Sequence, residues 1–167
     1  HGPTFAFKDM ALTVLPYLIV ESKKILKKNE KTLILVATSG DTGKAARDGF
    51  KDFAGTEITV LFPNDGVSEM QKLQMLPQEG NNVHVFSING NFDDAQSTVK
   101  AIFNDKKIVD KLKEKNIVMS SANSINFGRL APQIAYYIYT YASLVSAGQI
   151  KNGEKINFIV PTGNFGN

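Results

Sequence analysis

Thr32-Leu33-Ile34-Leu35-Val36-Ala37-Thr38, running directly into Ser39-Gly40-Asp41-Thr42-Gly43, is the stretch that decides the fold. The run up to Thr38 is almost continuously apolar and rich in branched side chains, which suits a strand covered on both faces. The glycine-bearing turn behind it opens a helical pattern, expected over residues 42–53. The same alternation recurs outward. Glu57–Phe62 (EITVLF) and Asn82–Ile88 (NVHVFSI) repeat the strand pattern, and Ile117-Val118-Met119 is a shorter fourth case. Helical patterns lie between them over residues 68–76 and 93–103. Strand, helix, strand in repetition predicts an α/β fold with an open parallel sheet, right-handed crossovers and helices on both faces. This core spans residues 31–122.

The flanks read differently. Residues 9–28 are helical in composition, with Leu12, Leu15, Leu18, Ile19, Ile25 and Leu26 apolar. Pro16 inside that stretch should kink or split the helix. Residues 126–147 carry Leu130, Ile134, Tyr137, Ile138, Tyr141 and Leu144, a long helix with a broad apolar face. Pro132 suits its first turn and Gly148 its stop. Ile156-Asn157-Phe158-Ile159-Val160 reads as a further strand, followed by a glycine loop. The chain thus divides into a helix-rich 1–30, a smaller α/β domain at 31–122, and a 123–167 segment that returns to the first. The opening His1-Gly2-Pro3-Thr4 and the closing loop suggest a segment cut from a longer two-domain protein. Such a segment is expected to fold, to be inactive alone, and to self-associate through its exposed outer elements.

Composition narrows the function. The 167 residues are 43% hydrophobic and 21% charged, with a net charge of +3 and no cysteine. That charge is too small to imply a nucleic-acid partner, and the lysine pairs at 23–24, 27–28 and 106–107 read as solvated faces. Disulfides, thiol catalysis and zinc–thiolate sites are excluded, and no metal site is expected. No apolar run approaches membrane-spanning length. A cytoplasmic protein acting on small molecules is the expectation.

Three polar loops could carry its chemistry. Thr38 to Gly43 follows a buried strand and starts a helix, where backbone N–H groups, hydroxyls and the helix dipole bind phosphates or carboxylates. A nucleotide P-loop is excluded, because its pattern needs glycine at position 38 and Ser or Thr where Ala45 sits. The dinucleotide fingerprint fails at the same threonine. Gly163-Asn164-Phe165-Gly166-Asn167 is a second anion loop, its glycines allowing close backbone approach. Ser120-Ser121-Ala122-Asn123-Ser124-Ile125-Asn126 is the third, and it leads to Arg129, one of only two arginines. An arginine fork suits phosphate or carboxylate, although an N-cap cluster beside a surface arginine would read alike. Lys8 lies in the apolar Phe5-Ala6-Phe7-Lys8-Asp9-Met10 at the start of a helix. Desolvation and the helix dipole both favour its neutral, nucleophilic form. His84 sits in a strand pattern and reads as a strand residue rather than a base.

In this order the motifs resemble those of threonine synthase, a pyridoxal 5'-phosphate enzyme of the tryptophan synthase β-like class. The matching words are His1-Gly2-Pro3-Thr4 with Phe7-Lys8-Asp9, then Ala37 to Gly43, then Ser121 to Asn126 with Gly128-Arg129, and finally Gly163 to Asn167. The resemblance implies two domains with the cofactor between them. It implies that Lys8 joins the cofactor aldehyde and that Gly163, Asn164, Phe165, Gly166 and Asn167 wrap the cofactor phosphate. Thr38, Ser39, Gly40, Asp41, Thr42 and Gly43 would hold the substrate carboxylate. Ser121, Asn123, Ser124, Asn126 and Arg129 would hold the substrate phosphate. Relatives in the wider class often carry asparagine where Asp41 stands, and a carboxylate would repel the cofactor's ring oxygen, so that contact is not assigned to Asp41. The implied reaction converts O-phospho-L-homoserine and water into L-threonine and phosphate. A threonine dehydratase, a cysteine synthase, or a non-catalytic paralogue binding a phosphorylated metabolite are the alternatives.

Overall fold

The apolar run becomes an inner strand, β1 (Lys31–Ala37), of a parallel sheet. The computed structural model describes residues 1–65, 67–75 and 80–160. β1 pairs with β2 (Thr56–Pro63) on one side and β4 (Ile117–Ser121) on the other. β3 (Val83–Ile88) pairs with β2, so the order is β3-β2-β1-β4. In register, Leu35 stands opposite Thr59 and Ser121.

Side chains alternate across a strand, so β1 feeds two separate cores. Ile34 and Val36 join Ile58, Val60 and Phe62 on one face, under Ala45, Ala46 and Phe50 of α3 (Asp41–Phe50). Leu12 of α1 (Asp9–Leu12) and Leu15 of α2 (Leu15–Ile25) pack into the same cluster. Leu35 and Ala37 join Leu61 on the other face, under Ala95 and Val99 of α5 (Phe92–Asn104). Helices therefore cover both faces, as the continuous apolar pattern of β1 requires.

The winding sets the position of the site. From β1 the chain steps outward through α3 to β2, then through α4 (Glu69–Met75) to β3. It then passes through α5 and α6 (Lys106–Glu114) to the far side of β1, where β4 pairs. The direction of winding reverses between β1 and β4, and in open parallel sheets the crevice at the carboxyl ends of such strands takes the ligand.

Several boundaries have local causes. Pro16 occupies the first turn of α2 and separates it from α1, the split that a proline lacking an N–H produces. Asp105 ends α5 and caps α6 by accepting from the Lys107 and Ile108 amides at 2.8 and 3.3 Å. The expected helix at 126–147 comes in pieces: α7 (Phe127–Leu130), a 3-10 turn at Ala131–Gln133 holding Pro132, and α8 (Ile134–Ser146). Gly148, at φ +68, ends it. The strand expected at 156–160 does not form. No described strand lies beside it to complete a ladder, and Ile159 is 96% exposed.

One close approach fixes α1 on α3. A Cβ at Gly49 would overlap the carbonyl oxygen of Leu12, a backbone atom that cannot swing aside. Gly49→Ala should therefore destabilise the protein by about 1–3 kcal/mol, the usual cost of overpacking. A denaturant midpoint unchanged by this substitution would contradict the contact.

Candidate active site

At the carboxyl end of β1 the Thr38 hydroxyl turns inward. Its Oγ1 donates to the Gly40 carbonyl at 3.0 Å and accepts from the Gly40 and Gly43 amides at 3.0 and 2.9 Å. Thr38 is buried and its hydroxyl is fully engaged by the turn. Ser39, Asp41 and Thr42 are left to face outward at the start of α3. Their backbone N–H groups have no hydrogen-bond acceptor among the described residues, so the turn keeps free donors at the positive end of a helix.

Beyond β4 the side chains of the polar loop build the loop itself. Ser121 Oγ donates to the Leu35 carbonyl at 3.0 Å and accepts from the Asn123 amide at 3.1 Å. The Asn123 side chain accepts from the Ala37 N–H at 3.0 Å and donates to the Ala37 carbonyl at 2.8 Å. Asn126 donates to the Ser121 carbonyl at 2.7 Å and caps α7 by accepting from the Gly128 amide at 2.9 Å. Ser124 is half-buried and has no hydrogen-bond partner among the described residues. Arg129 is only 3% exposed. Its Nη1 donates to the Ala122 carbonyl at 3.2 Å, its Nε has no partner, and it forms no ion pair among the described residues.

Lys8 stands at the N-terminus of α1 with its side chain 15% exposed. Its Nζ lies 3.7 Å from Asp41 Oδ2 and 4.3 Å from the centre of the Phe7 ring. Burial lowers the Lys8 pKa below its ordinary value; the Asp41 carboxylate opposes this and the Arg129 guanidinium adds to it. The structure thus brings together Lys8, the start of α3 and Arg129. Gly163 to Asn167 lie outside the described residues.

Three contributors were not legible as such. Asp9 is buried and accepts from the Thr4 amide at 2.8 Å and the Thr4 hydroxyl at 2.5 Å, which folds the first residues back over Lys8's helix. Gly2 is needed there, because a Cβ would run into the Asp9 side chain. The spacing of Gly2, Thr4 and Asp9 carried that signal. Tyr136 carried none, being one tyrosine among several on a helix. Its hydroxyl is buried with no partner among the described residues, and burial, then the Asp9 charge, push its pKa up while Arg129 pulls it down. His84, by contrast, sits far from this chemistry in β3, its Nε2 3.1 Å from Glu57 Oε2.

A buried guanidinium without a counter-charge is costly unless an anion completes it. A desolvated amine next to it is a nucleophile and a proton carrier. Together they suit a negatively charged substrate attacked or deprotonated by Lys8.

No protein-family model matches the chain. Threonine synthase of Buchnera aphidicola is 43% identical over 167 residues, covering 100% of this chain and 36% of that protein. Human threonine synthase-like 1 is 40% identical over 173 residues, covering 100% of this chain and 23% of that protein. The crystal structure of PLP-bound threonine synthase from Brucella melitensis superposes with a TM-score of 0.79 at 42% identity, over 99% of this chain and 33% of that one. The chain is similar to threonine synthases over its whole length. It spans about a third of the length of the Buchnera enzyme. The likeness extends over Lys8, the Thr38–Gly43 turn and the Arg129 loop alike.

Because folded Lys8 holds its proton less tightly than the unfolded chain does, the unfolded state binds more protons between the lowered and the ordinary pKa. Lys8's contribution to stability therefore rises with pH across that window. In amine-selective labelling followed by mass spectrometry, Lys8 should gain reactivity at lower pH than surface lysines. Asp41→Asn should move that onset lower still, since Asp41 favours the charged form, and Arg129→Met should move it up. Opposite shifts would contradict the electrostatics.

Proposed function

We propose that this segment supplies the reactive lysine and the substrate-facing loops of a cytoplasmic, pyridoxal-phosphate-dependent threonine synthase. The reaction is the conversion of O-phospho-L-homoserine and water into L-threonine and phosphate. The observation that carries the reading is the juxtaposition of a desolvated Lys8 amine with a buried Arg129 that has no ion-pair partner among the described residues, at the switch point of the sheet. The threonine synthase relatives, one of them solved with PLP bound, support it.

The residues fit the cofactor. Only a neutral amine reacts with an aldehyde, and burial favours that form of Lys8. When bound, pyridoxal phosphate supplies an electron sink that stabilises negative charge on amino-acid carbons. Gly163, Asn164, Phe165, Gly166 and Asn167 are proposed to hold its phosphate.

The chain's own groups then divide the work. Lys8 Nζ would carry protons one at a time, taking them from the substrate Cα and Cβ and returning protons to carbon as phosphate leaves Cγ and water adds at Cβ, and Asp41 would steady its ammonium form. The free amides of Ser39 and Thr42 receive the substrate carboxylate, with Thr38, Gly40 and Gly43 holding the turn in shape. Arg129 receives the substrate phosphate in a water-poor setting, where charge pairing is strong. Ser121, Asn123 and Asn126 act by fixing the loop that presents Arg129, because their polar groups are already engaged. The domain division at residues 31 and 122 belongs to the same reading, with the cofactor held where the segments meet. Self-association of the isolated chain is proposed through the exposed Ile134, Ile138 and Tyr139 of α8.

Borohydride reduction of the whole PLP-loaded protein should place the pyridoxyl adduct on Lys8, and an adduct on another lysine would overturn the assignment. Arg129→Ala should raise the KM for O-phospho-L-homoserine by roughly ten- to hundredfold, corresponding to the ~1.5–3 kcal/mol of a charged hydrogen bond. Equal turnover of phosphorylated homoserine and of plain homoserine or serine would favour a dehydratase instead.

A further inference from the structure

Helix α6 lies over β4, the outer strand of the described sheet, without closing against it. Its apolar side chains Ile108, Val109 and Leu112 are half-buried, and no residue of the helix is fully buried. A cavity of about 280 Å³ remains between α6, the end of α5 and β4, walled by Phe103, Val109, Leu112, Ile117, Val118 and Met119. Phe103 and Met119 also rim the core under α5, whereas Leu12, behind Lys8, packs on the other face of the sheet. Ile117 to Met119 open β4 at its amino end, and the loop to Arg129 leaves from its carboxyl end. None of the lining residues belongs to the Thr38–Gly43 turn, to residues 120–129 or to the helix that Lys8 starts.

The walls are hydrocarbon, one thioether and one aromatic ring. Lys113 is the one polar side chain among the described residues that line the space, and its ammonium has no hydrogen-bond or ion-pair partner among them. An unfilled apolar cavity costs stability, because its walls lose their contacts. An apolar space of about 150 Å³ holds benzene, so one of about 280 Å³ takes a body of roughly six carbons with a head group at the mouth. The lining offers no carboxylate to meet an ammonium. An amino acid would therefore set its own cation beside Lys113 with nothing to pair it. That disfavours the substrate and the product of the reaction proposed above, which are both amino acids.

We infer that this cavity binds a hydrophobic monocarboxylate without an amino group, with its chain among Leu112, Ile117 and Met119 and its carboxylate on Lys113. The site needs neither the cofactor nor turnover, so it stands or falls apart from the proposed reaction.

The whole protein, with its isoleucine, leucine, valine and methionine methyls labelled, is titrated with hexanoate, hexan-1-ol, acetate and norleucine. Hexanoate should give saturable shifts of the Leu112, Ile117 and Met119 methyls. Acetate, which lacks the chain, should bind roughly a hundredfold more weakly. Norleucine, the same chain with an ammonium added, should bind about tenfold more weakly. Lys113→Gln should weaken hexanoate binding about three- to fivefold, the worth of a solvent-facing ion pair, and leave hexan-1-ol unchanged. Lys111→Gln, on the same helix but outside the lining, should alter neither, and the methyl spectra of both variants report retained folding. Absence of saturable shifts with hexanoate, shifts confined to other methyls, acetate or norleucine binding as tightly as hexanoate, or undiminished hexanoate binding to the Lys113→Gln protein would each overturn the inference.

Discussion

The side-chain amide of Asn123 takes the place of one more rung in the ladder between β1 and β4. Strand pairing ends at Leu35 and Ser121, after which the two backbones part to form their loops. Asn123 spans that divergence, accepting from Ala37 N–H and donating to Ala37 C=O as a strand residue would. A neutral residue with a donor nitrogen and an acceptor oxygen side by side on a short stem meets both bonds at once. With this clamp in place, the Thr38–Gly43 turn and the loop leading to Arg129 leave the sheet side by side. Ser121 and Asn126 reinforce it from the β4 side, and Thr38 holds the turn from the β1 side. The crevice between them is a product of topology, kept open by side chains that do not themselves face it.

Charge is then concentrated where water is scarce. Among the described residues the buried Arg129 has no carboxylate partner, the desolvated Lys8 feels its charge, and Asp41 at 3.7 Å is the one counter-charge to Lys8. Two cations near each other in a low-dielectric setting repel and raise the free energy of the empty site. An anionic ligand relieves that repulsion. Stability given up in this way by the folded chain becomes affinity for phosphate or carboxylate, which accounts for a buried arginine whose charge has no ion-pair partner among the described residues.

Much of this was readable from residue order. The branched run at 32–38 announced a strand buried on both faces, and two separate cores flank it. The turn after it was legible from Gly40, Asp41 and Gly43, and the break at Pro16 from the proline itself. The direction of the side chains was not. Thr38, Ser121, Asn123 and Asn126 look like ligand-binding groups in a sequence because hydroxyls and amides serve loops and ligands equally well. Only their hydrogen bonds in the fold show that these side chains engage backbone groups. Helix α6 went unread because its lysines outweigh a half-buried Ile108, Val109 and Leu112, although Asp105 marked its start. The run at 156–160 carried strand propensity, but a strand needs a neighbour, and propensity yields to that requirement.

The central claim is that the β1–β4 switch point assembles one anion-binding, amine-bearing site from Lys8, the start of α3 and Arg129. A crystal structure of the whole PLP-loaded protein with a phosphonate analogue of O-phospho-L-homoserine tests it most directly. The account predicts the analogue's phosphonate against Arg129 and its carboxylate at the Ser39 and Thr42 amides, with Lys8 within reach of the carbons between. An analogue bound with Arg129 still buried away from it, and with the first turn of α3 untouched, would contradict the account.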